Sequence, residues 1–218
     1  MSERELLDEQ VAYYRARAAE YDATSMPEGD PFAAHDEAIR TALRGLAPVG
    51  RVLEIGARTG AWTCLLADIA DDLLVTDASP EMLGIARDRV GERPNAHYEI
   101  RDAFEMPPTH EFDLVAFSFF LSHVPPDRFE AFWSTLEGVV APRARVFFVD
   151  EGRHFMWRED WIDENEGIVR RTLVDGTVHR AVKVLWEPDE LTRRLAGIGW
   201  DASVAVEGPF YWGLASRR

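Results

Sequence analysis

The sequence predicts an α/β protein with a doubly wound, mostly parallel sheet, and three observations carry that reading. Val52, Leu53 and Ile55 form a short apolar run, Gly56 and Gly60 interrupt it, and Trp62, Leu65, Leu66 and Ile69 follow at helical spacing. About 20 residues further on, Leu73-Leu74-Val75-Thr76-Asp77 reads as a second strand ending in an acid. Glu111 to Ser118 has the nearly continuous apolar core of a strand covered on both faces, as in parallel sheets.

The remaining elements follow in order. Val11 to Asp22 is alanine-rich and places Val11, Tyr14, Ala18 and Tyr21 on one helical stripe. Ala23 to Asp30 holds Ser, Pro and Gly and reads as a mobile loop. Pro31 to Leu46 is a second amphipathic helix with Ile39, Leu43 and Leu46 inward. Ser79 as N-cap and Pro80 at the first helical position open a helix after the second strand. His97 to Ile100 is the third strand, Asp127 to Val140 a helix bearing Phe129, Phe132, Trp133 and Leu136, and Arg145 to Asp150 the fifth strand.

Beyond it, Glu151 to Glu166 is polar, aromatic and acidic at once, either a lid over a site or an ordinary surface helix. Asp175-Gly176 between Ile168–Leu173 and Thr177–Trp186 is a hairpin signal. A helix from Glu187 to Ala196 and two strands, Trp200–Val206 and Phe210–Ala215, close the chain, the last giving the sheet its antiparallel C-terminal strand. The expected organisation is one domain over 1–218: a helical cap (1–46), a core (51–150), a lid and hairpin insertion (151–186) and the closing elements (187–218).

The first loop identifies a ligand class. A strand, a tight glycine loop and a helix bring backbone N–H groups to a ligand, and Asp77 is placed to accept from both hydroxyls of a ribose. A dinucleotide site needs G-x-G-x-x-G, and here Arg58 and Ala61 stand where the second and third glycines belong. Glu54 lies inside an apolar strand, where a carboxylate is costly unless a cation meets it. The α-ammonium of S-adenosylmethionine is such a cation, and a nicotinamide dinucleotide carries none there.

Val52–Gly60, Asp77 and the segments up to Asp150 resemble the class I S-adenosylmethionine-dependent methyltransferases, a Rossmann-like family. The resemblance implies a cofactor site of Tyr21, Glu54, Gly56, Gly60, Asp77, Ala78, Met82, Asp102, Ala103, Phe104 and Ser118, with S-adenosylhomocysteine as product. In it Tyr21, of the Tyr21-Asp22 pair, donates to the methionine carboxylate, or else Tyr14 and Tyr21 are packing residues. Met82 lies against the adenine, or is core. Asp102 accepts from the exocyclic amine while the Ala103 or Phe104 amide donates to the ring, or Asp102 is only a turn residue. Arg58 departs from the family's second glycine. Its guanidinium reaches the carboxylate or Glu54, or it points to solvent, and its φ is expected to stay negative, since arginine accepts the left-handed region poorly.

Methyl transfer from a sulfonium is an in-line displacement that leaves a neutral thioether, so no metal is expected, and the histidines show no ligand spacing. His123, just past the fourth strand, is the candidate base for an oxygen or nitrogen acceptor, with a structural histidine as the other reading. His154 and Glu151 are weaker candidates. Phe117, Phe119, Phe120, Trp157 and Trp161 suggest a flat or apolar acceptor.

With 24 basic and 39 acidic residues the formal charge is −15, which argues against a nucleic-acid substrate. No apolar run approaches a membrane span, the N-terminus has no signal-like segment, and Cys64 is the single cysteine, so a cytoplasmic protein without membrane partner is expected. A small-molecule acceptor is the expected partner, and a homodimer is left open. The alternatives are a cofactor-binding module without transfer and a nicotinamide oxidoreductase, which the glycine pattern disfavours.

Overall fold

The computed structural model describes residues 3–25 and 30–218. The middle of the loop expected from Ala23 to Asp30, residues 26–29, lies outside the described residues, and Ala23–Ser25 continue a short helix.

Seven strands form one sheet: β1 (Val49–Ile55), β2 (Ala70–Asp77), β3 (Ala96–Ile100), β4 (Phe112–Ser118), β5 (Val140–Glu151), β9 (Trp200–Glu207) and β10 (Phe210–Arg217). Their order is β3-β2-β1-β4-β5-β10-β9. The first five run parallel, and β10 is antiparallel to both of its neighbours. The order reverses between β1 and β4, and ligands in such sheets bind in the crevice beyond the strand C-termini at that point. Glu54, Asp77 and Ser118 lie at or near those ends because their strands carry them there.

Helices α4 (Thr63–Ile69), α5 (Pro80–Val90), α6 (Phe129–Val139) and α7 (Pro188–Gly197) cover the faces. The expected stripe Trp62, Leu65, Leu66 and Ile69 is buried, packing with Val52, Leu73 and Phe147 in one core. Phe129, Phe132, Trp133 and Leu136 form the other core with Phe117, Phe148 and Trp200. Ser79 caps α5, its Oγ accepting from the Met82 amide at 3.1 Å, with Pro80 at the first position.

Three expectations are corrected. The N-terminal helix α1 begins earlier, at Glu3, and ends at Arg17, where a 3-10 turn (Ala18–Glu20) redirects the chain into α2 (Tyr21–Ser25). The stripe that α1 buries is therefore Leu6, Gln10 and Tyr13, and Tyr21 is buried on the separate α2. The second N-terminal helix, α3, is shorter than expected, Ala33–Arg44. The segment after β5 is no surface helix. A 3-10 turn (Arg153–Arg158) leads into β6 (Asp160–Asp163), which pairs with β7 (Ile168–Thr172) and β8 (Val178–Val182) in a second, three-stranded sheet. Trp157, expected near an acceptor, is 78% exposed, whereas Phe155 is buried between Phe32 and Phe210.

Candidate cofactor and acceptor site

The loop between β1 and α4 is shaped by its glycines. Gly56 has φ 66°, and a Cβ there would stand 2.6 Å from Phe120 Cδ2. Gly60 has φ 83°, and a Cβ there would stand 2.8 Å from the Ala86 Cα, so only glycine lets this loop approach α5. Arg58 shares that left-handed backbone with φ 53°, against the expectation of a negative φ. The loop imposes it: the Arg58 amide donates to Asp77 Oδ2 at 2.9 Å, and the Gly60 amide donates to the Ala57 carbonyl.

Asp77, at the end of β2, also accepts from the Ser79 amide through Oδ1 at 2.8 Å. Each carboxylate oxygen keeps acceptor capacity for a ligand. Burial pushes its pKa up, opposed by these two amides. Glu54 is 2% exposed, and its Oε2 has no hydrogen-bond partner. Burial pushes its carboxyl up to about 7, opposed by Thr63 beside it and by the Arg58 charge. Such an orphaned acid is poised to meet a cation.

The Arg58 side chain turns neither to Glu54 nor freely to solvent. Nη1 donates to Tyr21 Oη at 2.5 Å and Nη2 to Ser118 Oγ at 3.0 Å. Its guanidinium lies 5.1 Å from the Phe119 ring centroid. Tyr21 and Met82 pack together with Ala18, and Asp22 accepts from Thr59 Oγ1 at 2.6 Å. The Tyr21-Asp22 pair thus closes against the β1–α4 loop.

Further round, Ala103 is buried, while Asp102 is exposed and accepts from the Phe104 amide at 2.9 Å, a local turn that uses one of the two amides expected to face a ring. Ala78 is partly buried in the turn between Asp77 and Ser79.

Beyond the ends of β4 and β5, α1 and β8 form a roof. Glu9 pairs with Arg180, and the Gln10 amide group bridges the His123 carbonyl and the Val182 amide. His123 sits inside this joint. Its Nδ1 meets the Val182 carbonyl at 2.7 Å, which fixes the proton on Nδ1, so Nε2 accepts from the Tyr14 hydroxyl at 2.8 Å. Burial first, then Lys183, Arg171 and Arg58, hold its pKa well below the usual histidine value.

Lys183 is a polar residue that sequence reasoning missed. It is 3% exposed, and its Nζ donates to Glu151 Oε2 at 2.6 Å and to Ser122 Oγ at 3.2 Å. Arg171, also missed, pairs with Glu159. A lysine in the hairpin VHRAVK gives no sign that folding will carry it to the end of β5. His154 is exposed, with its ring edge against Phe32, and Phe117 stacks on Phe148 in the core, so neither belongs to the site surface. Among the described residues no group of three His, Cys, Asp or Glu gathers as a metal set would.

The sheet order, the glycine loop and the two acids make the β1, β2 and β4 ends a candidate nucleoside site, and comparison with known proteins shows the family. A model of the methyltransferase domain matches residues 52–143. The chain is 39% identical to the protein in the DhpI-SAH complex structure, covering 99% of this chain and 98% of that one with a TM-score of 0.87. It is 40% identical to the protein in the DhpI-SAM-HEP complex, covering 99% and 100% with a TM-score of 0.85. An uncharacterized methyltransferase of Staphylococcus carnosus (strain TM300) is 34% identical over 116 residues, 52% of this chain and 54% of that protein, so the chain aligns with about half of that relative's length. The chain belongs to the class I S-adenosylmethionine-dependent methyltransferases. It is an enzyme that uses S-adenosylmethionine, and the orphaned Glu54 Oε2, the spare acceptor capacity of Asp77 and the glycine loop fit that cofactor.

Proposed function

We propose that the enzyme methylates a small molecule at oxygen or nitrogen. The observation that carries this reading is the roof: α1 and β8, joined through Gln10, His123 and Glu9–Arg180, cover the ends of β4 and β5. A covered site suits a small acceptor better than a polymer, and the charge of −15 weighs against a nucleic acid. The relative solved as the DhpI-SAM-HEP complex holds a third component with SAM, which supports a ternary arrangement here.

S-adenosylmethionine supplies a methyl group on a sulfonium whose departing thioether is neutral. In this reading Glu54 meets its ammonium, Asp77 its ribose hydroxyls, Met82 packs by the adenine, and Asp102 and Ala103 border the ring edge. Catalysis then rests on holding the acceptor in line. His123 acts as a positioning residue: both ring nitrogens are engaged, so it orients Tyr14 and leaves no free lone pair to take a proton.

The test is incubation of the enzyme with methyl-labelled cofactor and a cell extract separated into small molecules, protein and nucleic acid. Label is expected in the small-molecule fraction. Label confined to protein or nucleic acid overturns the proposal.

A further inference from the structure

Lys183 is the only lysine in the chain, beside 23 arginines. Everywhere else that this chain places a basic side chain, a guanidinium serves. The single ammonium is buried, and a compact ammonium suits a closed space better than a planar guanidinium fork. From the end of β8 it ties three elements together. Its Nζ donates to Glu151 Oε2 at the end of β5 and to Ser122 Oγ in the turn after β4, at 2.6 and 3.2 Å.

Methyl transfer to a neutral O–H or N–H group releases one proton, and a group in the site must take it. His123 has both ring nitrogens engaged. Asp150 is fully buried, and its two oxygens accept from the Ser122 and Glu151 amides at 2.8 Å. Glu159 is closed off with Arg171. Glu54 and Asp77 stand on β1 and β2, in the half of the site proposed for the cofactor.

Glu151 differs from all of these. Lys183 engages its Oε2, so Oε1 keeps its lone pairs for a ligand. The Glu151 side chain is 22% exposed against 4% for Lys183, so an incoming molecule reaches the carboxylate before the ammonium. Its place is also at the strand ends, because Ser118 pairs with Val149 and Glu151 stands two residues beyond. Burial raises its carboxyl, but the Lys183 charge and hydrogen bond, with Arg158 and Arg171, outweigh burial and hold it below the usual carboxylate range.

We infer that Glu151 is the base of the methyl transfer and that Lys183 is the residue that positions it. This rests on the proposed methylation at oxygen or nitrogen. An acceptor lone pair forms the bond to the methyl carbon, and the pair of the breaking C–S bond returns to sulfur. The acceptor's proton passes to Glu151 Oε1, and the pair of the broken O–H or N–H bond stays on the acceptor. The exposed side of Glu151 then returns the proton to water.

The test measures rates with methyl-labelled cofactor and, as acceptor, the small-molecule extract fraction that wild type labels, added until the rate saturates. Glu151→Gln is expected to lower the saturating rate by about 10²–10⁴-fold, with S-adenosylhomocysteine affinity in calorimetry unchanged. Glu151→Asp should restore part of the rate. An unchanged saturating rate in Glu151→Gln overturns the inference, since the acceptor then brings no proton that Glu151 must take.

The pH profile tests the part of Lys183. Facing Glu151 are Lys183, Arg158 and Arg171 from the insertion, Tyr211 from β10 and Asp150 beside it. The base works ionised, so the wild-type rate rises as pH rises through the Glu151 pKa and then levels. Lys183→Met removes a cation that holds this pKa down, so the rise should move up by about 1–3 pH units. A rise that stays in place overturns the positioning role and leaves the pair a clamp between roof and sheet. Should a single variant not fold, Glu151→Gln with Lys183→Met removes both charges together, and a wild-type rate in it overturns the inference. Wild type that labels no small molecule overturns the acceptor reading and this inference with it, whereas an unaffected Glu151→Gln overturns this inference alone.

Discussion

Glu54→Gln should stabilise the ligand-free enzyme and weaken its cofactor at the same time. Glu54 is 2% exposed, and burial raises its carboxyl from 4.5 to about 7. The folded state therefore holds the proton more tightly than the unfolded chain. From this group, stability is greatest below pH 4.5, falls as pH rises from 4.5 to about 7, and stays reduced above. At about 1.4 kcal/mol per unit, the ionised carboxylate costs the ligand-free fold about 3 kcal/mol at about pH 8. Glutamine keeps the shape without the charge but brings an amide N–H₂ to a place where Oε2 has no partner, so a net gain of about 1–3 kcal/mol is expected. At this chain length each kcal/mol moves Tm by roughly 2–4 °C. The gain should shrink at about pH 5, where wild-type Glu54 is already neutral. Affinity for S-adenosylhomocysteine should fall by about 1–3 kcal/mol with the lost charge-assisted bond. Thermal melts at the two pH values and calorimetry at the higher one read all three quantities. Equal Tm at both pH values with unchanged affinity would refute the account of Glu54 as a buried acid awaiting a cation.

Three further outcomes follow from the same geometry. Asp77→Ala should weaken S-adenosylhomocysteine by about 1–3 kcal/mol in calorimetry, and an unchanged affinity would mean the ribose is held elsewhere. Gly60→Ala should lower Tm and cofactor affinity together, because its Cβ would meet the Ala86 backbone at 2.8 Å with φ 83°; a variant with wild-type melting behaviour would contradict the close approach of loop and α5. Activity on an identified acceptor should survive EDTA, since the displacement needs no Lewis acid, and loss on chelation with recovery on adding magnesium would count against this mechanism.

The sheet and its first loop are legible in the local chemistry of the chain. Strand cores such as Val52–Ile55 and Phe112–Ser118, the Ser79-Pro80 helix start and the Gly56/Gly60 turn all follow from local chemistry, because burial period, capping and backbone freedom act over a few residues. Glu54 and Asp77 were legible for the same reason: an acid inside or ending an apolar strand is anomalous in its own neighbourhood. Pairings across long separations come only with folding. Arg58 finds Tyr21 and Ser118, 37 and 60 residues away, and His123 finds Tyr14 and Val182, 109 and 59 residues away. Lys183 finds Glu151 only once β8 is laid over the end of β5. Long polar side chains reach partners set by the fold rather than by spacing, so whether a charge is matched, and hence what it can bind, is a property of the folded chain.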